Sequence, residues 1–245
     1  NNNNYYILGG GSNILIRDKG YNGIVLKLGK EFNTIKINED KLEVGSSILD
    51  INLSKFSMEN NIEGFEFFSG IPGTIGGAIK MNAGCYGSET KDNIHSCEVY
   101  SKNGVKKILY NSDLKMKYRS SNINDDQIVT RAIFKYKLGS KDQIQEKVLN
   151  IKKQRLLSQP IKNKTSGSTF KNPTNHFAAK LIEQSDCKGL KVGDAFVSLQ
   201  HSNFIINKGS ATASDIENLG KLIIEKVNNK FDIMLDWEIK IIGEK

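Results

Sequence analysis

The chain has 245 residues, with 35 basic and 27 acidic side chains and a formal net charge of +8. This length allows two domains of about 100–150 residues. No apolar run approaches the roughly 20 residues that cross a bilayer, and no secretory signal pattern is visible, so we expect a protein without a membrane partner. The three cysteines form no C-x-x-C pair, which favours a reduced, cytoplasmic protein. The three histidines lack the spacing of metal ligands, and we predict no metal.

The basic character raises the question of nucleic acid. The lysines are scattered, and we find no basic helix interleaved with stacking aromatic residues. We therefore expect a general preference for anionic small ligands and no nucleic-acid partner. A basic nucleotide- or RNA-binding module stays as the non-enzyme alternative, and it would be a colourless protein with strongly salt-dependent affinity.

The first part of the chain alternates short apolar runs with tight turns, which predicts strands. Asn103-Gly104 between two apolar runs predicts a hairpin. Apolar residues at helical spacing predict a helix over residues 47–59. Further predicted strands cover residues 5–8, 14–16, 24–28, 35–37, 42–44 and 128–137.

We place a domain boundary at Gly139-Ser140, which predicts domains at residues 1–139 and 140–245. Beyond it, residues 142–157 read as a helix with Asp142 as its N-cap. Residues 158–166 read as a loop. The capping box Ser214-Asp215-Ile216-Glu217 predicts the start of a second helix. Residues 233–242 read as a closing strand, so the predicted class is α+β.

Two glycine-rich loops are the most informative features. Residues 69–77 read S-G-I-P-G-T-I-G-G, and residues 9–13 read G-G-G-S-N after an apolar run. Glycine lets the backbone approach a ligand closely, and such loops point N–H groups at phosphates. Neither loop is a P-loop or a Rossmann G-x-G-x-x-G, and either could be an ordinary tight turn. Together they predict a ligand with a central pyrophosphate.

The loops belong to a longer pattern. L-G-G-G-S-N-I-L-I at residues 8–16, S-G-I-P-G-T-I-G-G and M-N-A-G-C-Y-G at residues 81–87 resemble the vanillyl-alcohol-oxidase-type FAD fold. Y-R-S-S at residues 118–121, G-S-T-F-K-N-P at residues 167–173, V-G-D-A-F-V-S-L-Q-H-S-N-F at residues 192–204 and L-D-W-E-I-K-I-I-G at residues 235–243 narrow the resemblance to the UDP-N-acetylenolpyruvoylglucosamine reductase family. The resemblance implies an FAD-binding domain of this type followed by a smaller α+β substrate-binding domain.

The chain departs from the family pattern at two places, and the resemblance implies FAD as the cofactor. In the family, further sequence precedes the first motif, so we expect the N-terminal segment of the FAD domain to be missing here. The 49 positions from Arg119 to Ser168 resemble the branch that lacks a substrate-closing tyrosine loop. The residues expected to bind FAD are Gly9, Gly10, Gly11, Ser12, Asn13, Gly70, Ile71, Pro72, Gly73, Thr74, Gly76, Gly77, Asn82, Ala83, Gly84 and Ile128.

The implied reaction is NADPH-dependent reduction of UDP-N-acetylglucosamine enolpyruvate to UDP-N-acetylmuramate in bacterial peptidoglycan synthesis. Hydride addition to the enolpyruvyl group builds negative charge on its carboxylate, which calls for a fixed cation, a hydrogen-bond donor and an acid. By resemblance Arg119 is the cation, Ser168 the proton donor to the α-carbon, and Glu238 a carboxylic acid kept protonated by burial. Alone, each residue type is more often structural.

The expected substrate-binding residues are Tyr118, Lys171, Asn172, His201 and Asn203. The resemblance suggests a monomer, with NADPH and the UDP-sugar using one pocket in turn. A second enzyme hypothesis keeps the FAD fold but makes the chain an oxidase or dehydrogenase of another small alcohol. The G-S-T-F-K-N-P and L-D-W-E-I-K-I-I-G motifs count against it, and so does the lack of a residue placed to tether flavin covalently.

Overall fold

A computed structural model describes residues 4–245, and the expectation about the start of the chain lies outside these residues. The strands are β1 (Tyr5–Ile7), β2 (Ile14–Ile16), β3 (Ile24–Leu26), β4 (Ile35–Asn38), β5 (Lys41–Gly45), β6 (Ile62–Glu63), β7 (Gly84–Cys85), β8 (Ser88–Glu89), β9 (Ile94–Tyr100), β10 (Lys106–Tyr110), β11 (Ile128–Lys135), β12 (Lys137–Leu138), β13 (Lys191–Val192), β14 (Ala195–Val197), β15 (Ile205–Asn207) and β16 (Lys240–Ile242). The helices are α1 (Asp50–Glu59), α2 (Ile75–Met81), α3 (Thr90–Asn93), α4 (Asn111–Leu114), α5 (Lys141–Ser158), α6 (Ala178–Gln184) and α7 (Ala213–Phe231). Short 3-10 turns cover Lys30–Phe32 and Glu66–Gly70.

The chain divides into two compact units, and both are discontinuous in sequence. Of the described residues, the first unit holds 4–11 and 24–154, and the second holds 12–23 and 155–245. The boundary therefore differs from the predicted one at 139/140. Most of α5 belongs to the first unit, and its Ile144, Val148 and Ile151 are buried, as their spacing predicts.

The first unit is built on an antiparallel five-stranded sheet in the order β10-β9-β11-β5-β4. The hairpin predicted around Asn103-Gly104, β9–β10, is confirmed, and the strands predicted at residues 35–37 and 42–44 pair as the hairpin β4–β5. The aromatic rings of Phe65, Phe67, Phe68 and Phe134 form the centre of its core, with edge-to-face contact between Phe65 and Phe134 at 5.5 Å. The apolar residues 65–68 thus belong to the core. They form a 3-10 turn that leads directly into the second glycine loop.

The second unit packs α6 and α7 with two small sheets, β13-β14-β15 and the parallel pair β2–β16. Leu219, Ile223 and Val227 of α7 are fully buried at i, i+4 and i+8. Asp18 and Arg17 tie residues 12–23 to this helix. The carboxylate of Asp18 accepts hydrogen bonds from the N–H groups of Ala213 and Ser214.

Three predictions of detail are wrong. Asp142 lies inside the first turn of α5 and is not its N-cap, because the helix begins at Lys141. The capping box of α7 is formed by Thr212 and Asp215, two residues before the predicted one. The predicted strand over residues 233–242 is reduced to Lys240–Ile242, because residues 233–239 pair only through one bridge, from Trp237 to Phe170.

Within the described residues, no helix is both long enough and apolar enough to cross a membrane. The three cysteines are free thiols. Burial raises the pKa of Cys97 to about 12, so this thiol is chemically inert at neutral pH.

Candidate active site

The two glycine loops meet within the first unit. A Cβ on Gly9 would lie 2.7 Å from Oγ1 of Thr74, and a Cβ on Gly10 would lie 3.1 Å from Cα of Gly73. The close approach of the two backbones therefore favours glycine at position 10, and the Thr74 side chain leaves too little room for a Cβ at position 9. Gly11 has a φ of +73° with open space around it, so it permits the turn rather than the contact.

The amide groups of these loops divide into two sets. The N–H groups of Ile75 and Gly76 at the start of α2 donate to the backbone oxygens of Ile48 and Ser46. By contrast, in the described part of the chain the N–H groups of Gly10, Gly11 and Gly73 donate to no other group of the protein. Unpaired N–H groups on a glycine-lined contact are suited to an anion such as a pyrophosphate. The loops thus fit the phosphate portion of FAD, whereas the first amides of α2 are already used.

Arg119 lies on a tight turn whose ends, Lys117 and Ser120, exchange two backbone hydrogen bonds of 3.1 Å. Its φ of +52° is in the left-handed region, where turns of this kind usually have glycine. A side chain there costs roughly 1–2 kcal/mol. Its Nη2 donates to the Gly84 oxygen at 3.0 Å, and its guanidinium lies 5.0 Å from the centre of the Tyr118 ring. A strained arginine with fixed contacts is typical of a functional site.

Asn82 supports this turn. Its side chain is fully buried, and its amide nitrogen donates to the Lys117 oxygen at 3.1 Å and to the Glu89 carboxylate at 2.7 Å. Its side-chain oxygen accepts from the Lys91 N–H. Asn82 was predicted to contact FAD; its described hydrogen bonds instead connect the end of α2 with the Arg119 turn.

Glu89 is the acidic neighbour of this cluster. Partial burial alone would raise its pKa, but hydrogen bonds from Lys91 and Asn82 and the charges of Lys91 and Arg119 outweigh burial and lower it. Glu89 is therefore ionised at neutral pH and holds the surrounding donors in place.

In the second unit, the G-S-T-F-K-N-P segment (residues 167–173) runs as an extended stretch with partners on both sides. Ser168 is bridged to Phe204, and Phe170 is bridged to Trp237. Ser168 and Lys171 are half-buried. The side-chain oxygen of Asn172 accepts from the N–H of Ala178, so it caps the start of α6.

Glu238 lies beside this segment. Its N–H donates to the Thr169 oxygen at 2.8 Å, and its carbonyl oxygen accepts from the Asn13 side chain at 3.2 Å. The side chain of Glu238 is half-buried. The structure therefore brings Glu238 next to the residue that follows Ser168, and the Asn13 side chain holds the backbone at Glu238.

His201 and Asn203 lie on the other side of the segment. Burial lowers the pKa of His201, so its ring is neutral at neutral pH and offers no positive charge to a phosphate. The ring packs edge-to-face on Phe204 at 4.6 Å between ring centres. The side chain of Asn203 is turned inward and bonds to the backbone of Phe170.

The predicted residues thus form two groups, one in each unit. The first group brings Gly9–Gly11 to Gly73–Thr74 and Asn82–Gly84 to Arg119. Ile128, at the start of β11, pairs with Tyr100 in the sheet. The second group comprises Ser12, Asn13, Ser168, Lys171, Asn172, His201, Asn203 and Glu238.

Comparison with known proteins identifies the pattern. The FAD binding domain family matches residues 1–108, and the C-terminal domain of UDP-N-acetylenolpyruvoylglucosamine reductase matches residues 159–242. The reductases of that name from Orientia tsutsugamushi (strain Ikeda) and Clostridium tetani (strain Massachusetts / E88) are 45% and 46% identical over 98% and 100% of this chain, and 80% of each relative is covered. The chain belongs to the UDP-N-acetylenolpyruvoylglucosamine reductase family.

A solved structure agrees with this family. UDP-N-Acetylenolpyruvylglucosamine Reductase (MurB) from Thermus caldophilus matches with a TM-score of 0.88 and 34% identity, over 98% of this chain and 86% of that one. The predicted fold class is confirmed: an FAD-binding domain precedes a smaller α+β domain.

Two residues that support the site, Asp50 and Glu89, were not predicted from the sequence. Asp50 is 1% exposed, its N–H donates to the Gly73 oxygen, and burial raises its pKa well above the ordinary value. Glu89 holds Asn82, as described above. Neither residue lies in a recognisable motif. The one sequence signal for Asp50 is that a charged residue occupies a position whose spacing predicts burial.

A cavity of about 320 Å³ borders the G-S-T-F-K-N-P segment within the second unit. Lys164, Gly167 and Thr169 line one part of it, and Ile205 and Ile239 line another. Its volume is at the lower end of the range for small-molecule pockets. Lys164 was not predicted as a site residue, and it lines this cavity.

Proposed function

We infer that the chain reduces UDP-N-acetylglucosamine enolpyruvate to UDP-N-acetylmuramate in peptidoglycan synthesis, with FAD as cofactor and NADPH as hydride donor. The observation that carries this inference is the match to the reductase family along nearly the whole chain, including both the FAD-binding and the C-terminal domain. The chain is an FAD-dependent oxidoreductase.

Gly10, Gly11 and Gly73 are proposed to bind the FAD pyrophosphate, because their N–H groups are available where the two loops meet. When bound, FAD accepts hydride from NADPH and passes it to the double bond of the substrate. The protein must then bind the substrate, stabilise the negative charge that develops and supply one proton.

Arg119 is proposed to bind the carboxylate of the enolpyruvyl group. A planar guanidinium can donate two parallel hydrogen bonds to a carboxylate. The contacts with Gly84 and Tyr118 restrict its orientation before substrate arrives. A preorganised cation stabilises developing negative charge without reorganisation.

Ser168 is proposed to donate the proton to the α-carbon, and Glu238 to donate a hydrogen bond to the developing enolate. The hydrogen bond from the Glu238 N–H to the Thr169 oxygen supports the pairing, since it joins the two chain segments that carry these side chains. Lys171 is half-buried and lies in the same segment as Ser168. It is proposed to bind an anionic oxygen of the substrate.

The remaining functional assignments are also proposals. We expect a monomer that acts in the bacterial cytoplasm, where NADPH and UDP-sugars are found. We also propose the branch without the tyrosine loop. Residues 119–168 are occupied by β11, β12, α5 and short connections, which agrees with that branch.

The catalytic roles are tested with Ser168→Ala and Glu238→Gln in anaerobic stopped-flow experiments on the FAD-loaded protein. Both variants should be reduced by NADPH at the native rate. Reoxidation by the enolpyruvyl substrate should slow by roughly 10²–10⁴-fold, the usual contribution of a positioned acid.

Ser210→Ala and Glu225→Gln, which change exposed residues of the same types, should reoxidise at the native rate. Native reoxidation by either catalytic-site variant would remove that residue from the mechanism.

A further inference from the structure

Asn203 makes an unusual set of contacts with the G-S-T-F-K-N-P segment. Its side-chain oxygen accepts from the Phe170 N–H at 2.9 Å, and its side-chain nitrogen donates to the Phe170 oxygen at 2.8 Å. Its own backbone oxygen accepts from the Thr169 N–H at 2.8 Å. One residue, only 4% exposed, therefore makes three hydrogen bonds to two consecutive residues.

The other edge of the segment bonds to the extended residues 236–238, which include Glu238. The Glu238 N–H donates to the Thr169 oxygen, and the Lys171 N–H donates to the Asp236 oxygen at 2.9 Å. The peptide groups of residues 169–171 are thus shared between Asn203 on one side and residues 236–238 on the other. Any shift of the segment along its axis would break bonds on both edges.

Phe170 anchors the same arrangement in the core. Its side chain is 1% exposed, and its ring lies 5.0 Å from the ring of Trp237, the residue before Glu238. The side chain of Asn203 thus replaces a neighbouring strand at Phe170, where a backbone peptide group would otherwise supply both the donor and the acceptor.

We propose that Asn203 is a positioning residue for the reduction step: it fixes the register of the segment that carries Ser168 against residues 236–238, which include Glu238. This inference rests on the proposed function, which gives those two residues their roles. It replaces the expectation that Asn203 binds substrate directly, because both ends of its side chain are bonded to Phe170. A neutral carboxamide is required, since donor and acceptor are both used.

Asn203→Ala removes both side-chain bonds and leaves the Phe170 backbone groups buried without partners. In the FAD-loaded protein, we expect flavin reduction by NADPH at the native rate and reoxidation by the enolpyruvyl substrate slowed by about 10–100-fold, the effect of a misplacement near 1 Å. Independently of activity, hydrogen exchange at the Phe170 amide should accelerate in the protein without substrate.

Asn203→Asp separates positioning from general destabilisation. The carboxylate keeps the acceptor for the Phe170 N–H but opposes the Phe170 oxygen. Burial raises the pKa of such an acid, and its protonated form can donate to that oxygen again. Reoxidation by this variant, relative to native protein, should therefore recover as pH falls from about 8 to about 6, while Asn203→Ala stays slow throughout.

Thr212→Ala is the matched control, because it removes the N-cap of α7 in the same unit without touching the segment. It should lower the unfolding midpoint and leave the reoxidation rate and the Phe170 amide unchanged. Native reoxidation and native Phe170 protection in Asn203→Ala, or a flat pH profile in Asn203→Asp, would overturn the proposal.

The two levels of inference fail differently. If Ser168→Ala and Glu238→Gln also reoxidise at the native rate, the proposed roles are at fault. If those two variants are slow and both Asn203 variants are not, only the positioning role is wrong.

Discussion

At the scale of single residues, the most informative side chain is Arg119, which occupies a backbone conformation that favours glycine. The Y-R-S-S motif indicates the residue, but the motif cannot show the left-handed φ or the bond to the Gly84 oxygen. The Asn82 side chain, 35 positions before Lys117, donates to the Lys117 oxygen of the same turn. The sequence predicts this residue's identity and the fold supplies its orientation.

Arg119→Lys should keep the positive charge but lose the planar, two-bond geometry and the contact with Gly84. We expect kcat/KM for the enolpyruvyl substrate to fall roughly 10–100-fold, which corresponds to one charged hydrogen bond of about 1.5–3 kcal/mol. Steady-state kinetics would measure this loss. Arg131→Lys, which alters a half-exposed arginine paired with Glu43 on the sheet, should have native kinetics. Native kinetics for Arg119→Lys would contradict the carboxylate-binding role.

At the scale of elements, α7 is in direct contact with the irregular stretch that carries Glu238. A Cβ on Gly220 of α7 would lie 2.0 Å from Cη2 of Trp237. Trp237 also packs on Phe170, which lies two residues after Ser168. Because Gly220 has no side chain, it leaves room for Trp237, the residue before Glu238. Helix propensity alone would favour alanine here.

Gly220→Ala should therefore destabilise the protein despite its better helix propensity. Overpacking of this kind costs about 1–3 kcal/mol, and we expect a loss of unfolding free energy in that range. Trp237 is the single tryptophan of the chain, so its fluorescence reports the displacement directly. Asn218→Ala, at an exposed position of the same helix, should leave emission and stability near native values. Unchanged emission in Gly220→Ala would contradict the packing described here.

Local signals predicted these elements well where a repeating pattern is strong. The two hairpins and the buried face of α5 follow from alternation, turn residues and helical spacing. The stretch 233–239 was misjudged because its apolar residues Leu235 and Ile239 are buried by loop packing rather than by a ladder of strands. Likewise, the hydrogen bonds that commit Asn82 and Asn203 to the backbone join distant positions and leave no local pattern.

At the scale of the whole molecule, the second unit is completed by residues 12–23 from near the start of the chain. Strand β2 pairs with β16, Arg17 forms a two-bond ion pair with Glu217, and Asp18 accepts hydrogen bonds at the start of α7. A boundary placed from composition alone could not find this exchange, because the pairing of β2 with β16 crosses more than 200 positions. The motif at residues 8–16 is thus divided between the two units.

These contacts predict how stability depends on pH. Hydrogen bonds from the Ser214 side chain and from the Ala213 and Ser214 amides lower the pKa of Asp18. A lowered pKa in the folded state gives stability that is present above the ordinary value of about 4 and is lost as pH falls through the folded value. Asp18→Asn should therefore weaken the second unit at neutral pH and reduce its further loss in acid.

Chemical unfolding at pH 7 and at pH 3 would measure this difference, with the exposed Asp232→Asn at the other end of α7 as control. Equal acid sensitivity of native protein and Asp18→Asn would show that the Asp18 contacts are not responsible.

The central claim, that the chain is an FAD-dependent reductase of the enolpyruvyl UDP-sugar, is tested most directly by an anaerobic flavin spectrum. We expect the chain to take up FAD, to lose the flavin absorbance when NADPH is added, and to regain it when UDP-N-acetylglucosamine enolpyruvate follows, with UDP-N-acetylmuramate formed in equal amount. A protein that takes up no FAD, or one that NADPH bleaches and the enolpyruvyl substrate does not reoxidise, would contradict the account.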